Sequence, residues 1–158
     1  MKIRIVRAHS KKRFIPLGWI IKKTQKTEWH HYAIEYGDYI YTDARRKGIR
    51  KVSKATWFKR YREVSSTVVE LPCSFEVLDA YVDGKVGAKY PFWQLIGIGL
   101  ISFGWIKHNP FGKNKRYLVC HEYVVVLLAR FLKLDIKDSD DFTFGDVEEV
   151  IDSVRTND

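Results

Sequence analysis

His31-Tyr32-Ala33-Ile34-Glu35-Tyr36-Gly37-Asp38-Tyr39-Ile40-Tyr41-Thr42-Asp43 sets the architecture. Two runs rich in aromatic and β-branched residues flank Gly37-Asp38, two residues that tolerate the backbone angles of tight turns. The pattern predicts a β-hairpin. Upstream, residues 2–8 alternate charged and apolar and predict a further strand. Downstream, residues 48–52 and 64–71 predict two more. Helices are expected over 17–23 behind Pro16, and over 54–62 behind a Ser53 cap. Others are expected from Pro72 and Ser74 through Val82, over 120–133, and over 142–154. The expected fold class is α+β, with a small, mainly antiparallel sheet and helices segregated around it.

At 158 residues the chain is expected to be a single domain, 1–158, long enough to bury a core. Apolar residues make up 46% and aromatics 15%, which excludes a disordered tail or a fibrous repeat. Two cysteines, Cys73 and Cys120, exclude a disulfide-rich scaffold and a four-cysteine zinc site. The start, Met1 to Val6, is charged and lacks a hydrophobic stretch, so the expected location is cytoplasmic or virion-associated. Residues 92–106 are apolar apart from Gln94 and Ser102. Fifteen residues fall short of the roughly 20 that a spanning helix needs. A buried helix or a lid is expected there rather than a membrane span.

The net charge of +9 is unevenly distributed. Residues 1–60 hold 17 Lys/Arg against 4 Asp/Glu, whereas residues 135–158 hold 2 against 9. A basic front suits a polyanion: nucleic acid, an anionic membrane or an acidic polymer. The competing expectation is that the acidic tail folds back on the front and neutralises part of it.

Cys120 lies between the basic segment 113–116 and an apolar run, Tyr123, Val124, Leu127, Leu128 and Phe131, spaced for a core-facing helix. The thiol is therefore expected at a helix N-terminus. The partial positive charge of unpaired N–H groups there favours thiolate, and the same groups can cradle an oxyanion. A small buried hydrophobe is the ordinary alternative for a lone cysteine. Cys73 has no surrounding motif and is assigned to the core. A nucleophilic cysteine needs a histidine to take its proton and an acceptor to hold that ring. Of His9, His30, His31, His108 and His121, the last adjoins Cys120 on the helix and should point elsewhere. His30 and His31 face opposite ways on one strand. His31 shares its face with Ala33, whose small side chain leaves room for a helix carrying the cysteine.

His31-Tyr32-Ala33-Ile34-Glu35-Tyr36-Gly37-Asp38 resembles the strand-and-turn motif of the circularly permuted papain-like (NlpC-type) cysteine hydrolases. Cys120-His121-Glu122-Tyr123-Val124 is similar to the Cys-Ser-Glu-aromatic-Val motif of their YiiX/YebB-like bacterial and phage branch. Residues 87–95 resemble a Gly-x-x-Tyr-x-aromatic segment that often precedes the cysteine. The related lecithin:retinol acyltransferase-like enzymes place Asn before the cysteine and Glu-His after it. This chain has Val119 and His121-Glu122, nearer the bacterial and phage branch. The likeness covers about residues 14–134, which is the expected core, with 135–158 an acidic helix or tail.

The resemblance implies a small sheet packed on a helix that carries nucleophilic Cys120, with His31 as its base. It also implies a third polar residue on the strand after the His strand. With a three-residue loop at 37–39, Asp43 lies diagonal to His31 on the same face, within side-chain reach. With a two-residue loop Asp43 turns away and Thr42 takes its place. Asp43 is preferred because a carboxylate both orients the ring and stabilises imidazolium. Glu35 shares the face but lies too far along the strand to touch His31. Glu122 falls in the first helical turn, where its charge favours the dipole.

The implied activity is that of a thiol hydrolase or acyltransferase on an amide, ester or thioester, with a peptide, cell-wall or lipid-type substrate. It calls for no cofactor. A metal held by His30, His31 and Asp43 is disfavoured because adjacent strand residues diverge. The alternative is a non-enzymatic binding module, or a phage structural protein with virion partners. In residues 45–62 basic side chains interleave with Trp57, Phe58 and Tyr61, a composition suited to polyanion contact. An amphipathic helix with solvated basic heads and buried rings has the same composition.

Overall fold

The computed structural model describes residues 1–11, 22–23, 26–38, 40–45, 48–87, 97, 100–101, 104–108, 110, 119–136 and 142–156. Five strands, β1 (Lys2–Ser10), β2 (His31–Tyr36), β3 (Ile40–Arg45), β4 (Gly48–Ser53) and β5 (Tyr61–Glu70), form one antiparallel sheet in the order β4-β3-β2-β1-β5. The helices with bounds among the described residues are α1 (Lys54–Phe58), α2 (Phe75–Asp83), α3 (Cys120–Leu132) and α4 (Phe144–Val154). The class is therefore α+β with a small open sheet.

The β2–β3 hairpin pairs Ile34 with Thr42 and Tyr36 with Ile40, leaving a three-residue loop at 37–39. Gly37 takes φ +55°, and a Cβ there would meet the Phe75 ring at 2.5 Å. Both the backbone angle and the close ring require glycine at this turn.

The strand alternation divides the core. Ile3 and Ile5 of β1 and Tyr32, Ile34 and Tyr36 of β2 join the cluster formed with α2, α3 and α4. Val6, Ala8, Ala33 and Tyr41 form a second cluster with Trp57 of α1 and Tyr61 of β5. Ala33 thus packs on the face opposite α3, so its small size does not make room for the cysteine helix. It fits instead under the stacked rings of Tyr41, Trp57 and Tyr61, whose neighbouring centroids lie 4.7 and 5.0 Å apart.

The helix expected over 54–62 stops at Phe58, although Ser53 caps it through the Thr56 N–H. β1 runs to Ser10 and pairs it with Tyr61, so β5 begins where the helix was expected to continue. Burial of Tyr61 in the second cluster overrides the local helical preference. Ser74 caps α2 and Gly84 ends it, at the expected places.

The core also extends beyond 14–134. β1 supplies Ile3 and Ile5, and α4 supplies Phe144, Val147 and Ile151. Thr143 and Asp146 form a capping box on α4. From α4, Glu148 clasps the Arg7 guanidinium of β1, with Nε at 2.8 and 2.9 Å, and accepts the Tyr32 hydroxyl at 2.5 Å. The acidic tail therefore folds back on the basic front through a largely buried ion pair.

Of the expected helix at 17–23 only Lys22 and Lys23 are described, and both are helical. The 113–116 segment, most of 92–106, and the 87–95 motif beyond Gly87 lie outside the described residues. Among the described residues no helix is long and apolar enough to cross a membrane.

Candidate active site

α3 is buried on nearly every side: Cys120 through Val125, Leu127 and Leu128 are all inside. Val119 at its N-cap has no side-chain acceptor to offer. Glu122 supplies the half of a capping box that remains, its Oε2 accepting the Val119 N–H at 3.0 Å. Glu122 is thus a helix-capping residue. The first-turn N–H groups of α3, Cys120's among them, have no intrahelical acceptor.

His31 opens β2 opposite Ala8, on the face of the second cluster. The hairpin register that leaves three residues in the loop sets Asp43 diagonal to it. The His31 Nε2 lies 2.7 Å from Asp43 Oδ2. Thr42 points to the other face and meets the Tyr123 hydroxyl of α3 at 3.0 Å. Between the two candidates, the geometry therefore joins Asp43, not Thr42, to His31. The His31 imidazole and the Cys120 thiol lie close enough to shift each other's ionisation. Nε2 is the ring nitrogen committed to Asp43. The three residues are buried together, with exposures of 3% for Cys120, 7% for His31 and 0% for Asp43.

Two further residues complete the surroundings, and neither was expected from the sequence. Tyr61 stacks on the His31 ring with centroids 4.5 Å apart and planes 10° from parallel. Arg50, directly across the β3–β4 ladder from Asp43, donates Nε to Oδ1 at 2.6 Å and Nη2 to Oδ2 at 3.1 Å. The β3–β4 register, which runs from Arg45 opposite Gly48, sets that pairing, so the signal lay in the register of the second hairpin. Tyr61 carried no such signal, because it was read as part of a helix.

Charge follows from these contacts. Burial drives His31 towards the neutral form. The stacked Tyr61 ring, the Asp43 carboxylate and the Cys120 thiol outweigh it and hold the imidazole well above the usual histidine range. Burial also opposes ionisation of Asp43, yet His31 and Arg50 bring its carboxyl below the ordinary value. At Cys120 burial pushes the thiol up, and the His121 and His31 imidazoles outweigh it, bringing it down to about 6. At Cys73, half-buried near the amino terminus, burial raises the thiol instead. The site therefore favours a thiolate–imidazolium pair near neutrality, whereas Cys73 stays a thiol.

His121 packs on Phe144 of α4 with ring centroids 5.2 Å apart. It is fully buried, and neither ring nitrogen has a hydrogen-bond partner among the described residues. Its effect on Cys120 is therefore that of a close second imidazole, without a well-formed bond. His30 lies outside the cluster: its Nε2 accepts the Ser10 N–H at 3.3 Å, and burial lowers it to about 4.

Among the described residues no group of three His, Cys, Asp or Glu side chains is arranged to hold a metal ion. In the basic stretch 45–62, Arg50 is committed to Asp43 and Lys51 to Asp79 and Asp83 at 2.6 and 3.0 Å. Trp57 and Tyr61 are buried, while Lys59, Arg60 and Arg62 are exposed. The Trp57 and Tyr61 rings are thus turned inward, and these basic heads remain outside.

No protein-family model matches the chain, and no curated protein matches it.

Proposed function

We propose that the chain is a cysteine hydrolase or acyltransferase of the permuted papain-like kind, acting on an amide, ester or thioester. The observation that carries this reading is the buried His31 ring, tied to Asp43 at 2.7 Å, with the equally buried Cys120 thiol at the start of a helix near enough to be shifted by it. Each residue has a distinct role. The Cys120 thiolate attacks the carbonyl carbon, and the Cys120 N–H steadies the oxyanion. His31 as imidazolium donates its proton to the leaving nitrogen, oxygen or sulfur, leaving a thioester on Cys120. The neutral ring then takes a proton from the incoming water or acceptor, which attacks the thioester and releases the thiol. Asp43 keeps the ring oriented and favours its cationic form. The basic surface suits peptide, cell-wall or lipid-type substrates with anionic neighbours, in a bacterial or phage setting.

The test is acyl-enzyme capture. The protein is treated with p-nitrophenyl acetate and with a short acyl thioester, and peptide mass spectrometry locates the adduct. A hydroxylamine-sensitive acyl group on Cys120 at neutral pH, absent from Cys120→Ala, is the expected result. Acylation confined to Cys73, or none at either cysteine, contradicts the reading. That outcome would favour a non-enzymatic basic module presenting Lys59, Arg60 and Arg62.

A further inference from the structure

Asp43 has no exposure at all, yet it carries a charge. A buried carboxylate shared only with a histidine has two weaknesses. It can take up a proton itself, and it can hold the imidazolium so firmly that the ring gives its proton up reluctantly. The β3–β4 ladder places a guanidinium fork on its other side, with Nε on Oδ1 at 2.6 Å and Nη2 on Oδ2 at 3.1 Å. Oδ2 therefore accepts from both His31 and Arg50, and Oδ1 from Arg50.

We infer that Arg50 is a positioning residue of the site, fixing the plane of the Asp43 carboxylate and sharing its charge so that His31 can release its proton to a leaving group. This rests on the hydrolase or acyltransferase reading above. Arg50 touches no reacting atom. It acts through Asp43 on His31, and through His31 on Cys120.

Two separable effects follow from the chemistry of the fork. Its planarity and two donors fix where the carboxylate plane lies, and hence where the imidazole points. Its charge lowers the proton affinity of every group nearby. The groups around His31 are Asp43 from β3 with Arg50 of β4 behind it, Tyr61 from β5, Cys120 and the neighbouring His121 from α3, and His30, the residue that precedes β2. Among them, Arg50 is the permanent cation. Removing it raises the proton affinity of both the thiol and the imidazole, so both limbs of a bell-shaped profile move the same way. Lysine retains the charge and loses the fork.

The experiment compares the unsubstituted protein, Arg50→Gln and Arg50→Lys. It uses the pH profile of Cys120 alkylation by iodoacetamide, the NMR titration of the His31 ring, and the rate of Cys120 acylation by p-nitrophenyl acetate. Arg50→Gln should move the His31 titration upward by about one pH unit, the low end for a charge that shares its carboxylate partner, and move the Cys120 midpoint upward by less. Arg50→Lys should leave both within a few tenths of a unit and slow acylation at least about tenfold, as loss of a bidentate contact implies. A depressed Cys120 midpoint in the unsubstituted protein that Arg50→Gln leaves in place overturns the role of Arg50 alone. Should Arg50→Gln fail to fold, Arg50→Lys decides: acylation at the unsubstituted rate overturns the positioning role. An ordinary thiol profile in the unsubstituted protein overturns the hydrolase reading and the Arg50 role with it.

Discussion

Replacing Asp43 with Asn tests whether the buried cluster is an electrostatic unit. The substitution keeps shape and removes one charge. Asp43 accepts from His31 Nε2 at 2.7 Å and from Arg50 at 2.6 and 3.1 Å. Hydrogen bonds to charged groups contribute about 1.5–3 kcal/mol each, less the cost of burying the carboxylate. Removing one partner of a buried ion pair costs about 3–5 kcal/mol, because the other charge is stranded. The Arg50 side chain retains 22% exposure and can recover water, which favours the low end, about 3 kcal/mol. For a chain of this length that corresponds to a fall in Tm of about 6–12 °C. The same change should lower the His31 pKa by about 1–3 pH units and, by leaving a neutral ring beside the thiol, raise the Cys120 midpoint. Urea denaturation and the pH profile of Cys120 alkylation measure the two effects. A loss under about 1 kcal/mol with an unmoved midpoint would refute the electrostatic reasoning. Destabilisation without a shift in the thiol would make Asp43 a structural latch only.

Other expectations follow from individual contacts. His121→Phe removes two unpartnered buried nitrogens beside Phe144, so it should hold or raise stability, by up to about 1 kcal/mol in denaturation, while raising the Cys120 midpoint; a large loss of stability would show that the nitrogens are paired in solution. His30 is held neutral down to about 4 in the fold, whereas its unfolded value is near 6.5. Between those values the unfolded chain binds more protons, so stability falls as pH drops through the window. His30→Gln should flatten that slope in urea midpoints measured across it, and an unchanged slope would refute the assignment. His31 has the opposite sign: its raised value contributes stability below about 6.5 that is lost as pH rises through its folded value. Replacing Lys59, Arg60 and Arg62 with Gln should weaken any polyanion binding and flatten its salt dependence, whereas Cys120→Ala should leave that binding intact. Equal affinities across a salt titration would remove the basic face as a binding surface.

The hairpin was legible because aromatic and β-branched runs and a glycine turn are local signals, and the loop length alone then set Asp43 beside His31. The α3 start was legible for a similar reason: an apolar helical stripe begins abruptly at Cys120. Side-chain partners that depend on a second register were not. Arg50 reads in the sequence as one basic residue among many, and it acquires a role only when β4 pairs with β3. Tyr61 reads as helical because the burial that makes it a strand residue comes from Val6, Ala8 and Trp57, distant or hidden in the local pattern. The sheet also has two packed faces, so His31 and the α3 layer belong to opposite sides, and alternation alone could not say where they meet. The docking of α4 includes a long-range pair, Arg7 with Glu148, which no local periodicity announces.

The central claim is that His31, held by Asp43, makes Cys120 a thiolate near neutral pH. Its most direct measurement is the pH dependence of iodoacetamide alkylation at each cysteine, resolved by peptide mass spectrometry, in the unsubstituted protein and in His31→Gln. The shape of the profile is the readout, since Cys120 is the more buried of the two and absolute rates mix access with ionisation. The account requires Cys120 to titrate with a midpoint near about 6. Cys73 should rise only above the ordinary thiol value of about 8.5, and His31→Gln should move the Cys120 midpoint upward towards it. A Cys120 profile that matches that of Cys73, or one that His31→Gln does not move, contradicts the account.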